Sequence, residues 1–289
     1  MKKNIKLLFS LFLSVTLWRV YYKPKAANAF FPKINEPNEE ELKSTSIQIG
    51  KTAIQLLQFG QNEEAIKLLK LAIKLNSTEH NLWLSLAEAQ IRSDKKKEAI
   101  LSLNKAIELN PKKEELYFTK ASIYMNLNNP KKAIKIINNG LKINENNERG
   151  YFQLGNAKTM LKEHKLALIA FKKSSKINPN FWQSINNEGL ILYELNNPKK
   201  AIKKFKLALK LSKDAEPMLA LGVVLFAFDN KSIESLTLAK NALKANPKYV
   251  SSDYQGQQLW GEKLQKAAQV LFKDKEMVQA VAEAKQKSK

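Results

Sequence analysis

Residues able to carry out chemistry are few in this chain of 289 residues. His80 and His164 are the only histidines and lie far apart in the sequence, and there is no cysteine. Thiolate nucleophiles, disulfides and cysteine-based metal sites are therefore excluded. Neither a glycine-rich phosphate loop nor a G-x-S-x-G nucleophile motif occurs in the sequence. The sequence predicts a protein that is not an enzyme and has no cofactor and no metal site.

The charge of the chain is strongly positive, with a formal net value of +22. A basic chain can bind nucleic acid or acidic lipid through its charge. Only Arg19, Arg92 and Arg149 are arginines, however, and arginine is the residue that binds phosphates and base edges in a bidentate manner. The lysines are spread along the whole sequence, which is typical of a solvated surface. We therefore expect no nucleic-acid partner.

Small residues recur every 34 residues, and this period predicts the elements of the fold. The first series is Ala65, Ala99, Ala133, Ala167, Ala201 and Ser235, and the second is Ala72, Ala106, Gly140, Ser174, Ala208 and Ala242. Residues seven apart share one face of a helix, so each pair lets a neighbouring helix approach closely. Larger residues that would fill the space between repeats are Leu69, Leu103, Ile137, Phe171 and Phe205. Pro111, Pro179 and Pro247 end their periods, because proline cannot continue a helix.

A second helix precedes this one in each period, with a large early residue and a small residue four positions later. The pairs are Trp83 and Ala87, Tyr117 and Ala121, and Tyr151 and Gly155. The whole pattern resembles the tetratricopeptide repeat (TPR) family, whose signature is W-x2-L-G-x2-Y, then A-x3-F-x2-A, then P. The resemblance implies an all-α, right-handed α-solenoid of six helix-turn-helix repeats over residues 46–249, namely 46–79, 80–113, 114–147, 148–181, 182–215 and 216–249. The fifth repeat departs from the pattern at Ile185 and Glu188.

The family resemblance also implies a binding surface. TPR proteins bind partners along a concave groove formed by the first helices, at positions two, five, nine and twelve of each repeat. Carried over to this sequence, these positions give apolar anchors beside amides and charges: Leu84, Glu88, Phe118, Met125, Arg149, Phe152, Asn156, Gln183, Asn186, Leu190 and Tyr193. Amides can hold the backbone of an extended peptide while aromatic rings bury its side chains. The predicted partner is a protein or peptide.

The two ends of the chain lie outside the repeats. Residues 257–272 are amphipathic and are expected to form a helix that caps the last repeat, within a capping helix and tail at 250–289. Residues 1–29 combine a basic start, an apolar run at 7–18 and Ala27-Asn28-Ala29, which is typical of a cleaved export signal. An uncleaved anchor over residues 7–22 is the alternative, through which any membrane contact is expected. Residues 30–45 read as a polar tether.

These features favour a non-enzymatic scaffold for protein–protein interaction, exported to a periplasm or thylakoid lumen. The alternative is a membrane-anchored assembly factor for a photosynthetic complex, because the composition and C-terminal pattern are similar to those of cyanobacterial TPR proteins. An RNA-binding helical repeat would require arginine and stacking aromatic residues in every repeat, and these are missing. The oligomeric state is left open by the sequence.

Overall fold

The computed structural model describes residues 36–228 and 232–288, and every regular element in these ranges is helical. The α-helices are α1 (Glu39–Gln58), α2 (Asn62–Leu75), α3 (His80–Arg92), α4 (Lys96–Leu109), α5 (Glu114–Asn126), α6 (Pro130–Ile143), α7 (Glu148–Met160), α8 (His164–Ile177), α9 (Trp182–Glu194), α10 (Pro198–Leu211), α11 (Ala215–Phe228), α12 (Ile233–Ala245), α13 (Ser252–Gln257), α14 (Glu262–Phe272) and α15 (Val278–Lys287). Short 3₁₀ turns lie at Pro247–Val250 and Lys275–Met277. The all-α prediction is confirmed.

The described residues from 42 onward form one compact unit, and residues 36–41 belong to another. The predicted export signal, its alternative as an anchor, and the first part of the predicted tether lie outside the described residues. Residues 39–45, predicted as tether, are helical. The side chain of Asn38 accepts a hydrogen bond from the Glu41 amide at 2.9 Å, and the Glu41 carboxylate accepts one from the Asn38 amide at 3.1 Å. This reciprocal capping starts a helix earlier than the polar composition suggested. In the part of the chain described, no helix combines the length and apolarity needed to cross a bilayer.

The helices pack as consecutive pairs. The first helices of repeats 2–6 are α3, α5, α7, α9 and α11, and each packs on the second helix of its own repeat and on that of the preceding repeat. The small residues at the 34-residue period lie where these helices meet. All of the first series, from Ala65 to Ser235, are fully buried. Leu69, Leu103, Ile137, Phe171 and Phe205 are buried beside them, so the predicted alternation of small and large residues forms the core.

The turns inside the repeats share one backbone conformation. Gly60, Asp94, Asn128, Lys162 and Asn196 have positive φ values of 53–74° and lie at the same place in repeats 1–5. A left-handed residue at this point reverses the chain within a few residues after the first helix. Glycine and asparagine adopt it most easily, which explains the Asn-Asn-Pro sequence in two of these turns.

The departure at Glu188 has a structural reason. Its carboxylate is fully buried, and Oε2 lies 2.8 Å from the Lys204 ammonium on α10. The Ser175 hydroxyl donates a hydrogen bond of 2.5 Å to Oε1 from α8. Because a buried carboxylate needs partners of this kind, Glu188 joins three helices through polar contacts, whereas repeats 2 and 4 have Leu86 and Leu154 at this position.

Candidate peptide-binding surface

The candidate surface is the first-helix face, defined as the side of α3, α5, α7, α9 and α11 that carries the predicted groove residues. On repeats 2–4 this face is open. Glu88 and Arg149 are exposed, and Leu84, Met125, Phe152 and Asn156 are partly exposed. Apolar, amide and charged groups are therefore available to a partner along these three repeats.

Phe118 was predicted to lie in the groove, but its side chain is buried at 6% exposure. Its ring occupies the space that side chains at Gly140 and Gly150 would fill, because a Cβ atom there would lie 2.7 and 2.6 Å from it. The ring also packs in a cluster with Ile137 and Leu141. Phe118 is thus part of the packing between repeats 3 and 4, and it offers no surface to a partner.

On repeats 5 and 6 the first-helix face is covered by α14, which belongs to residues 251–288, called here the C-terminal segment. Helix α14 packs against α9 and α11, and its Leu264, Ala268 and Leu271 are fully buried in the cluster that contains Leu190. Asn186 is also completely buried. The predicted groove residues Asn186 and Leu190 are therefore inaccessible, and Tyr193 is partly buried against the same cluster.

This placement differs from the expected cap over the last repeat. Helix α15 and the Pro247–Val250 turn contact each other, and α15 also contacts α12 in the last repeat. Helix α14 instead lies along the first-helix face. Cover by α14 removes apolar groove positions of α11 from water, because Ala220 and Val224 are fully buried in the cluster that contains Leu264.

Polar contacts fix the start of α14. The Glu194 carboxylate accepts a hydrogen bond of 3.1 Å from the Leu264 amide, one of the unpaired donors at a helix N-terminus. The Lys263 ammonium donates to the Glu194 carbonyl at 2.7 Å and to Asn196 Oδ1 at 2.9 Å. A side chain at Gly261 would overlap the Glu194 carboxyl group, so glycine permits this close approach.

A cavity of about 390 Å³ lies where the open and covered parts of the first-helix face meet, and it is called here the repeat 4–6 cavity. Its aromatic walls come from Phe152, Trp182, Tyr249 and Tyr254, and its carboxylates are Asp214 and Glu216. The remaining lining is made mainly of amides: Asn156, Gln183, Asn187, Asn246, Gln257 and Gln258. The predicted residues Phe152, Asn156 and Gln183 are thus brought together in one place.

Glu216 is the electrostatic centre of this cavity. The Trp260 indole N–H donates a hydrogen bond of 3.1 Å to Glu216 Oε1. The pKa of Glu216 is raised to about 7, chiefly by burial and also by the nearby Asp214 carboxylate, while hydrogen bonds from Trp260, Asn186 and Tyr249 oppose the rise. Burial also raises the pKa of the Tyr249 hydroxyl. A carboxylate in this environment is half ionised near neutral pH.

The two histidines lie outside the lining of the repeat 4–6 cavity and on different repeats. His80 begins α3 and its Nε2 lies 3.3 Å from Asn110 Nδ2, whereas His164 begins α8 two repeats later. Within the described ranges, no group of three or more His, Cys, Asp or Glu residues is arranged to hold a metal ion.

Comparison with protein families identifies the repeats. A model described as "Tetratricopeptide repeat" matches residues 80–113, 114–147 and 148–181. Residues 80–181 are tetratricopeptide repeats. A comparison with curated protein sequences found no match.

Solved structures show the same TPR fold. PilF of Pseudomonas aeruginosa is 18% identical, with a TM-score of 0.61 over 76% of this chain and 99% of that one. MamA of Desulfovibrio magneticus RS-1 is 17% identical, with a TM-score of 0.52 over 57% and 94% of the two chains. YrrB, described as a TPR protein with an unusual peptide-binding site, is 21% identical, with a TM-score of 0.50 over 66% and 95%. At these identities the likeness concerns the fold alone.

Several cavity residues were missed because they lie outside the TPR positions used for the prediction. Trp182 and Glu216 stand at the first positions of repeats 5 and 6, and Tyr254 lies beyond the repeats. One feature of the sequence did point to a covered surface. Groove positions five and nine of repeat 6 are Ala220 and Val224, so neither position offers a polar side chain to water. An apolar groove position in the last repeat indicates a surface that another segment covers.

Proposed function

We propose that this chain is a non-enzymatic scaffold that binds an extended peptide segment of a partner protein along the first-helix face of repeats 2–4. The observation that supports it most is the open face itself. Partly exposed Leu84, Met125 and Phe152 alternate there with Glu88 and Arg149 on three successive repeats. Apolar side chains can bury those of a peptide, and the polar groups can fix its direction and register.

The covered part of the face limits the length of the binding surface. A peptide running from repeat 2 towards repeat 5 meets α14 and the repeat 4–6 cavity, because Leu190 and Asn186 are already buried. The proposed site therefore ends at the cavity.

We expect Leu84→Asp to weaken peptide binding at least tenfold, because a charge would replace an apolar contact that repeat 2 offers to the peptide. Twelve-residue peptides would be selected from a random displayed library on the full chain, and their dissociation constants measured with each variant. Leu101→Asp is the matched control, since Leu101 is 65% exposed on α4, the second helix of the same repeat.

Thermal unfolding of both variants would be recorded in parallel, so that a loss of fold is not taken for a loss of binding. Peptides that bind Leu84→Asp normally but fail with Leu101→Asp would move the site to the second helices. If the library yields no binder, the proposed peptide function is wrong.

We also propose export to a periplasm or thylakoid lumen, with cleavage after Ala29, and keep the membrane-anchored assembly factor as the alternative. Both rest on the composition of residues 1–29. The intact mass of protein purified from its own cell separates them. A mass beginning at Phe30 in the soluble fraction supports the exported scaffold, whereas a full-length mass in the membrane fraction supports the anchored form.

A further inference from the structure

The repeat 4–6 cavity has a charge opposite to that of the chain as a whole. The chain carries a net charge of +22, yet the described residues that line this cavity include Asp214 and Glu216 and neither lysine nor arginine. The Asp214 carboxylate is exposed and has no ion pair or side-chain hydrogen bond among the described residues. The cavity therefore carries negative charge that no lysine in its lining neutralises.

The second observation concerns buried polar groups. The Glu216 carboxylate accepts a hydrogen bond from Trp260, but the residues that line the cavity include no lysine or arginine to pair with it. This hydrogen bond leaves the charge of the carboxylate without a counter-ion in the cavity lining, so a ligand that carries positive charge would stabilise its ionised form.

The third observation is the aromatic wall. Trp182, Phe152 and Tyr254 line the cavity, and Tyr254 makes an edge-to-face contact with Tyr249, with ring centroids 4.9 Å apart. Aromatic faces attract ammonium and guanidinium groups, most strongly where water is displaced. The volume of about 390 Å³ lies within the range of roughly 300–1,000 Å³ that is common for ligand pockets.

We propose that the repeat 4–6 cavity binds a lysine or arginine side chain of the bound peptide, with Asp214 and Glu216 as its counter-charges and Trp182 and Tyr254 as its aromatic walls. The proposal rests on the peptide-binding function proposed above, because Phe152, Asn156 and Gln183 connect the cavity to the first-helix face. An organic cation suits the site better than a metal ion, since aromatic rings form much of the lining and a hard metal ion requires oxygen ligands on all sides.

The test uses displayed peptide libraries in which the central residue is fixed as Lys, Arg, Leu or Glu. On the full chain, the Lys and Arg libraries should be enriched at least tenfold over the Leu and Glu libraries. The double variant Asp214→Asn/Glu216→Gln should lose this preference. It preserves side-chain size, and the amide oxygen introduced by Glu216→Gln can still accept the hydrogen bond from Trp260. Asp253→Asn, an exposed change on α13 outside the cavity lining, is the control and should keep the preference.

Dependence on pH gives a second readout. The titratable groups that act on Glu216 are Asp214 beside α11 and Tyr249 in the 3₁₀ turn, and Tyr254 on α13 lines the same cavity. Affinity for a lysine peptide should rise between pH 6 and pH 8 as Glu216 ionises, and Glu216→Gln should remove this rise.

The outcomes distinguish a failure of the proposed cation site from a failure of the proposed peptide binding. Peptides that bind without a preference for Lys or Arg, or that keep it in the double variant, would overturn the cation site and leave the peptide function intact. Failure of all four libraries would overturn both. If n-butylammonium chloride binds as tightly as the lysine peptides, the cavity serves a free amine, and the assignment to a peptide side chain is wrong.

Discussion

Leu264→Asp is expected to release the C-terminal segment from the first helices of repeats 5 and 6. Leu264 is fully buried where α14 packs against α9 and α11. A carboxylate at this point would lie among apolar side chains without a cationic partner, which costs several kcal/mol. Undocking of α14 avoids this cost, so the variant should expose the helix rather than keep the charge buried.

Trypsin cleavage measures the release, because Lys263 and Lys266 both lie on α14. We expect cleavage after these lysines to become at least tenfold faster in Leu264→Asp. Val270→Asp is the matched control on the same helix, since Val270 is 61% exposed and can carry a charge into solvent. Equal cleavage rates for the two variants would contradict the placement of α14 on the first-helix face.

The release should also alter the repeat 4–6 cavity. Tyr254 and Trp260 belong to the C-terminal segment, and Trp260 holds Glu216 through its indole N–H. Without them the cavity loses one wall, and the carboxylate becomes hydrated and regains a lower pKa. Any preference for lysine peptides should then disappear, while contacts on repeats 2–4 are unaffected.

The helix pairing could be predicted because it depends on a local rule repeated along the chain. A small residue such as Ala133 and a large one such as Ile137 lie on one helix face, and their spacing alone shows which side must meet a neighbour. The groove positions implied by the family resemblance were less reliable, and they failed at Phe118. Position five usually faces the groove in the family, but Gly140 and Gly150 leave a space into which this ring turns. The direction of the Phe118 ring therefore depends on glycines at two positions in other helices.

The C-terminal segment could not be placed from the sequence for a different reason. Its contacts join residues about 70 positions apart, such as Glu194 and Leu264, and they follow no period. Amphipathicity indicated that the segment packs on something apolar, but two apolar surfaces were available, the end of repeat 6 and the face of α11. The Glu194 carboxylate and the glycine at position 261 decide between them, and neither is recognisable without the partner helix.

Phe171→Ala is expected to destabilise the fold by about 3–5 kcal/mol, the cost typical of removing a buried phenylalanine. Phe171 is 1% exposed, and its ring lies so close to α7 that a Cβ at Gly155 would be 2.5 Å from it. Denaturant midpoints would measure the change. Ile169→Ala is the control two residues away on α8, where Ile169 is 64% exposed, and it should change stability by less than about 0.5 kcal/mol.

The stability lost in Phe171→Ala should be concentrated at the junction between repeats 4 and 5, where Phe171 lies. Its backbone carbonyl accepts a hydrogen bond of 3.0 Å from the Ser184 hydroxyl on α9, and its ring centroid lies 5.9 Å from that of Phe152. Each repeat is stabilised chiefly by its neighbours, so a cavity at this junction should allow repeats 1–4 and repeats 5–6 to unfold in separate transitions.

Phe171 should also affect binding, because Phe152 lines the repeat 4–6 cavity and without Phe171 it loses a ring that fixes its orientation. Peptide affinity should therefore fall in Phe171→Ala under conditions in which the chain is still folded. Full affinity in a folded but destabilised variant would show that the orientation of Phe152 does not matter for binding.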